Sequence, residues 1–257
     1  MAPDASGTGA LVGLYKNRFL GPQARKMAEN PAPYPAREPM HMEPHAEPQA
    51  QTPAGFAIHP EFIGERGQAE ILAAILNVLA EAPLFRPTMP RTGKPFSVAM
   101  TSCGPLGWVA DRSGYRYQAT HPQTGRRWPP IPEPVMAIWR ALANYPHDPE
   151  ACLVNYYEPT ARMGMHRDED EQDFNAPVVS ISLGDDCRFR VGGLERGGPT
   201  QSFRLRSGDV AVLGGESRLA HHGVDRIYPG TSTLLAPHFP QGGRINLTLR
   251  RVTVPRR

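Results

Sequence analysis

The chain has 257 residues, 40% of them hydrophobic and 21% charged, enough to build one large core with room for a terminal extension. Lysine and arginine total 28 against 25 acidic residues, and the resulting +3 is too small a bias to indicate a polycationic tail. The three cysteines lack a Cys-x-x-Cys spacing, which argues against a disulfide framework or thiolate zinc site. No apolar run approaches the ~20 residues of a bilayer helix, and the opening MAPDASGTGA does not read as a secretory signal. A soluble, cytoplasmic monomer without membrane contact is expected.

Residues 1–55 read as a Pro-rich tail. Eight prolines fall between Pro31 and Pro60, and each removes a backbone donor and fixes φ, so a disordered or loosely draped segment is expected. From about residue 56 the texture is that of a folded domain. Ile71, Leu72, Ile75, Val78 and Leu79 recur at helical spacing over Gly67–Ala82, and Pro83 ends the stripe. A second helix is predicted over Pro132–Asn144, with Val135, Ile138, Trp139 and Leu142 on its apolar face. From Ala151 onward the chain breaks into short β-branched runs: ACLVNYY, PVVSISL, CRFRV, SFRLR, DVAVL and RINLTLRRV. Helices first and many strands afterwards predict an α+β fold, a sandwich or barrel flanked by helices.

His166-Arg167-Asp168 is the first candidate for chemistry. In an extended segment residues i and i+2 share a face, so His166 and Asp168 can grip one ion, and a distant His222 can complete a facial triad. Two imidazoles and a carboxylate leave the opposite face of an octahedron open, which suits non-haem Fe(II). Taken alone His-x-Asp is a weak motif, and a solvated acidic loop with one incidental His is the far commoner reading of HRDEDE. In the last strand Arg244, Asn246, Thr248 and Arg250 alternate with Ile245, Leu247 and Leu249. The arginines either aim into a barrel mouth, where a dicarboxylate such as 2-oxoglutarate would meet them, or face solvent from an edge strand. Asn155 and Tyr157 share a face of Leu153–Tyr157 and either donate to the same anion or are ordinary polar side chains on a half-exposed strand.

The runs MTSCGPLGWVADRSGYRYQATHPQTGRRWP, ACLVNYYEPTARMGMHRDEDE, APVVSISLG, GDVAVLGGESRLAHHGV and RINLTLR resemble the AlkB family of Fe(II)- and 2-oxoglutarate-dependent dioxygenases, which repair alkylated nucleobases. The resemblance spans about residues 70–252 and implies a double-stranded β-helix (jelly-roll) core at about 150–252 with a nucleotide-recognition lid at about 84–130, in a single domain from 56 to 257. It implies iron ligation by His166, Asp168 and His222; His221 is adjacent, and the family's His-Gly step favours His222. It further implies 2-oxoglutarate contacts from Asn155, Tyr157, Arg244, Asn246 and Arg250, and contacts to the damaged nucleotide from Trp108, Tyr115, Tyr117, Asp170 and Arg196. The HFPQGG insertion before Arg244 departs from the family and is expected to alter access to the site. The implied reaction is oxidative demethylation of 1-methyladenine and 3-methylcytosine in DNA, preferentially single-stranded, with O₂ as co-substrate and formaldehyde and succinate as products. The competing readings are an RNA or tRNA demethylase, a protein hydroxylase of the same iron class, and a non-catalytic nucleic-acid-binding jelly roll.

Overall fold

The computed structural model describes residues 54–255, so the Pro-rich segment lies, but for its last two residues, outside the described residues. The described chain runs β1 (Phe56–His59), α1 (Glu65–Glu81), β2 (Ala99–Cys103), β3 (Gly107–Asp111), β4 (Gly114–Gln118) and α2 (Glu133–Leu142). It continues through β5 (Ala151–Tyr157), β6 (Met163–His166), β7 (Val178–Gly184), β8 (Asp186–Val191), β9 (Gln201–Leu205), β10 (Val210–Leu213), β11 (His222–Tyr228) and β12 (Arg244–Arg250). All pairings are antiparallel. The strands form a six-stranded sheet, ordered β1-β10-β7-β12-β5-β2, and a four-stranded sheet, ordered β6-β11-β8-β9; β3 and β4 make a separate hairpin. This is the jelly-roll architecture.

Two apolar layers hold it together. The stripe of α1, with Ile71, Leu72, Ile75 and Val78 buried, packs with Val135 and Trp139 of α2 against Val154, Ile181, Ile245, Leu247 and Leu249 on one face of the larger sheet. Between the sheets lie Leu153 and Tyr157 of β5, Phe189 and Val191 of β8, Leu205 of β9 and Val224 and Ile227 of β11. Each large aliphatic side chain removed from water in this way contributes about 1.5–3 kcal/mol. Strand alternation thus sends β5 and β12 residues into two different environments, and β12, between β7 and β5, is central and buried on both faces. The solvent-facing edge strand weighed for Arg244 and Arg250 is therefore not what forms.

The HFPQGG segment also differs from expectation. Phe239 stacks on Tyr156 with ring centroids 4.4 Å apart, Tyr156 Oη donates to the Gly242 carbonyl, and Asp185 accepts from the Gly243 and Ser232 amides. Tyr156 belongs to the helix-side core, on the opposite face of β5 from Asn155 and Tyr157. The insertion is pinned behind the sheet, and none of its residues lines the cavity described below.

Candidate active site

His166 and His222 are placed by strand pairing. They are register partners on β6 and β11, and their rings lie 4.5 Å apart between centroids. The close approach needs Gly223, because a Cβ there would meet the Met163 carbonyl oxygen at 2.7 Å and that of Gly164 at 2.9 Å. Asp168, just beyond β6, sets Oδ1 at 3.5 Å from His166 Nε2 and Oδ2 at 3.7 Å from His222 Nε2. One ligand atom from each residue lies within 4.8 Å of the other two. Both imidazoles are tied behind: His166 Nδ1 is 2.9 Å from the Gly164 carbonyl oxygen and His222 Nδ1 is 3.0 Å from that of Ala220. A carbonyl can only accept, so each Nδ1 carries a proton, and each Nε2 is left facing Asp168. His221 turns elsewhere, with Nδ1 at 3.3 Å from the Gly193 carbonyl oxygen.

The electrostatics differ between the two imidazoles and the carboxylate. Burial pushes His222 down to about 4, and the neighbouring His166 adds to the shift. Burial also pulls His166 down, but the Asp168 carboxylate outweighs it and the imidazole ends above its ordinary value. Burial would raise Asp168; the Arg250 guanidinium, with both imidazoles, instead holds its carboxyl well below the usual range. Asp168 Oδ2 is nevertheless buried with no hydrogen-bond partner. Two imidazole Nε2 atoms and an unpartnered buried carboxylate oxygen converging on one point are the donor types that suit a divalent metal such as Fe(II).

The paired positions of β5, β12 and β7 supply the second half of the site. Asn246 is the register partner of Asn155 and of Ser182, and Arg244 of Tyr157. Asn246 Nδ2 donates to Ser180 Oγ at 2.8 Å and to the Ile181 carbonyl at 3.0 Å, while Arg244 Nη2 donates to Ser182 Oγ at 2.7 Å. Arg244 is only 1% exposed, yet its Nε and Nη1 have no partner and it has no acidic neighbour within ion-pair distance among the described residues. A buried guanidinium with two free N–H groups calls for a carboxylate. Arg250 differs, being already paired with Asp168 at 2.8 Å and Glu171 at 3.1 Å. Burial raises the Tyr157 phenol, keeping it a neutral donor.

Glu171 and Arg218 were not singled out in the sequence. Glu171 is fully buried and bridges Arg250 to Arg218, whose Nη1 also donates to the Asp168 carbonyl at 2.8 Å. Arg218 therefore fastens the backbone of the Asp168 loop. Within HRDEDE nothing distinguishes this carboxylate from its neighbours; the GGESR run that carries Arg218 is the only cue, and it names no partner.

The hairpin of β3 and β4 closes over this loop. Trp108 Nε1 donates to Asp170 Oδ2 at 2.7 Å and stacks on Tyr115 at 5.5 Å, 16° from parallel. Tyr117, the register partner of Trp108, gives its hydroxyl to Glu171 and accepts from Arg250 at 3.1 Å. Its hydroxyl is thus engaged by the triad loop, and Tyr117 is not among the residues that line the cavity described below. Burial raises the Asp170 carboxyl, a shift the bond from Trp108 opposes. Beside the hairpin, Arg116 is occupied by Asp111, and Trp128 is a core residue packed with Phe85 and Val109.

One cavity of about 720 Å³ unites the pieces. The triad, Asn155, Tyr157, Arg244, Asn246 and Arg250 line it together with Trp108, Tyr115, Asp170 and the Arg196 of the β8–β9 loop.

Comparison with known proteins agrees. The 2OG-Fe(II) oxygenase superfamily matches residues 55–250. An alpha-ketoglutarate-dependent dioxygenase AlkB homolog of Caulobacter vibrioides is 50% identical over 197 residues, covering 77% of this chain and 87% of that one. The AlkB of Escherichia coli K12 is 41% identical over 187 residues, 71% of this chain and 84% of its own. The solved structure of OsALKBH1 superposes with a TM-score of 0.64 at 31% identity, covering 79% of this chain and 99% of that one. With a superfamily match across most of its length and two close AlkB relatives, the chain belongs to the AlkB family of Fe(II)- and 2-oxoglutarate-dependent dioxygenases.

Proposed function

We propose that this dioxygenase oxidatively demethylates 1-methyladenine and 3-methylcytosine in DNA, preferentially in single strands, acting as a monomer in the cytoplasm. The observation that carries the reading is the single cavity that places a triad and a guanidinium lacking a counter-ion beside an aromatic pair and a carboxylate. His166, Asp168 and His222 would hold Fe(II). Arg244, with Asn246, Asn155 and Tyr157, would hold 2-oxoglutarate, and Arg250 would orient Asp168 beside it. When bound, iron and 2-oxoglutarate consume O₂ and supply the oxidising power that hydroxylates an N-methyl carbon.

The chain's own residues bind, orient and exclude water. A methyl group on the Watson–Crick edge is out of reach inside a duplex, so the base must be flipped or already unpaired, and a lesion that cannot pair is cheapest to extrude. Trp108 and Tyr115 offer a stacking surface, worth ~1–3 kcal/mol per base. Asp170 can accept from the exocyclic amine that adenine and cytosine share, and Arg196 can meet a phosphate at the rim. Leu153, Phe189 and Val224 keep the cavity wall apolar. The hydroxymethyl product is a hemiaminal that releases formaldehyde without help from a nucleophile, while 2-oxoglutarate leaves as succinate and CO₂.

The test is turnover under air with Fe(II) and 2-oxoglutarate on single-stranded DNA and RNA oligonucleotides bearing each lesion, followed by product mass and formaldehyde. Loss of one methyl mass that needs both cofactors is expected, faster on DNA. Faster repair of RNA would reassign the substrate, and succinate without repair would remove the nucleobase altogether.

A further inference from the structure

The reverse face of the four-stranded sheet, behind the cavity wall, carries a charge pattern that the proposed chemistry does not use. Cys187, Phe189 and Val191 of β8 point into the core, so Arg188 and Arg190 point out. Arg188 is the register partner of Arg226 on β11 and of Arg204 on β9. Three exposed arginines therefore stand side by side across three adjacent strands, a row roughly 10 Å long. Like charges directly opposite one another destabilise a sheet, so the row opposes folding unless an anion meets it.

The acids present meet it only in part. Asp225, inserted into β11 at a bulge, takes a two-pronged bond from Arg188 at 2.7 and 3.0 Å, and Asp186 takes one from Arg204 at 2.8 Å. Arg226 has no acidic partner among the described residues, and neither does exposed Arg206, just beyond Arg204. Tyr228 braces two of the row without using their N–H groups: the Arg204 and Arg226 guanidiniums lie 4.8 and 5.3 Å from its ring.

The face is continuous with the site. β8 leads from the row into the loop whose Leu194, Glu195 and Arg196 line the cavity, and Arg190 ties down the far end of that loop through Thr200 at 2.6 Å. We propose that the Arg188–Arg204–Arg226 row is a second nucleic-acid contact, binding phosphates of the strand that continues past Arg196 beyond the flipped base. It rests on the nucleobase reading above. A polyphosphate backbone fits better than a small anion, because cationic charge is spread over successive strands, with Arg226 and Arg206 unpaired by acids among the described residues, and no pocket is enclosed.

The holoenzyme and its Arg188→Gln/Arg204→Gln/Arg226→Gln variant are titrated by fluorescence anisotropy with a long unmodified single-stranded oligonucleotide at several salt concentrations. Turnover is measured in parallel on a methylated trinucleotide, too short to reach the row. The variant is expected to bind the long strand about tenfold more weakly, with a salt slope smaller by about 2, from ~0.7 per phosphate contact. Its trinucleotide turnover stays unchanged, and the triple lysine variant regains most of the binding. Unchanged affinity and slope overturn the proposal and leave the row to an acidic protein surface. Equal loss with glutamine and lysine overturns it too, since a phosphate contact should survive on charge alone. If the native enzyme demethylates no oligonucleotide, the nucleobase reading fails while the anisotropy series still judges the row.

Discussion

Arg244 and Arg250 sit six residues apart on one face of β12, yet their surroundings assign them different work. Arg250 is neutralised by Asp168 and Glu171 with only its Nε lacking a partner, whereas Arg244 has both Nε and Nη1 buried and free and no acid beside it among the described residues. Lysine cannot reproduce a bidentate fork. Arg244→Lys should therefore raise the KM for 2-oxoglutarate at least tenfold, about 1.4 kcal/mol, with Fe(II) affinity unchanged. Arg250→Lys should weaken both, because it also loosens Asp168. Calorimetric titration of metal and co-substrate separates the two, and equal behaviour of the variants would refute the division. The alternation that put both arginines on one face was legible in the sequence; their inequality was not, because it depends on Glu171, a carboxylate set in a run of acids and turned inward only by the fold. Removing one partner of a buried ion pair costs about 3–5 kcal/mol. Glu171→Ala should therefore lower the urea midpoint markedly, and Glu169→Ala, on an exposed neighbour, should leave it in place.

At the scale of elements, the β3–β4 hairpin and the triad loop are joined as one piece. Trp108 holds Asp170 and Tyr117 holds Glu171, so two partners across β3 and β4 grip two consecutive residues of the loop. The helices and central strands were readable because their apolar periodicity reports burial. The hairpin was not, since its strands are five residues long and one face carries the partly exposed aromatics Trp108, Tyr115 and Tyr117, two of which bond to acids of a polar loop, rather than an aliphatic stripe. What could be read there is the turn: Asp111 Oδ1 accepts from the Ser113 amide, and Gly114 takes φ 114°, a conformation that favours glycine. Tyr117→Phe removes the hydroxyl between Glu171 and Arg250, worth about 1 kcal/mol. Amide exchange across residues 107–118 should quicken while α1 stays protected, and unchanged exchange would show that the hairpin is held by Trp108 alone. Trp108→Ala should raise the KM for oligonucleotide without changing 2-oxoglutarate turnover in its absence.

For the molecule as a whole, the open question is where the enzyme begins. The superfamily match starts at residue 55, and the described fold closes on itself there. The Ser217 amide donates to the Ala54 carbonyl and the Gly214 amide to that of Gly55. β1 then covers the edge of the larger sheet by pairing Phe56–His59 with β10, and Phe56 packs against Phe189 and Phe203. Sheet order brings this strand to β10, far along the chain, a placement no local pattern in the sequence announces. Removing residues 1–53 should leave stability and 2-oxoglutarate turnover within twofold of the full chain, because every described contact survives. Removing residues 1–60 should do much more harm. It bares the β10 edge and removes the partly buried Phe56 and Ile58 that pack on the core, each contributing a fraction of the ~1.5–3 kcal/mol of a fully buried side chain. Thermal melts and turnover of both truncations make the comparison. Equal losses in the two would place residues 1–53 within the working enzyme, and equal tolerance would show that β10 does not need its edge covered.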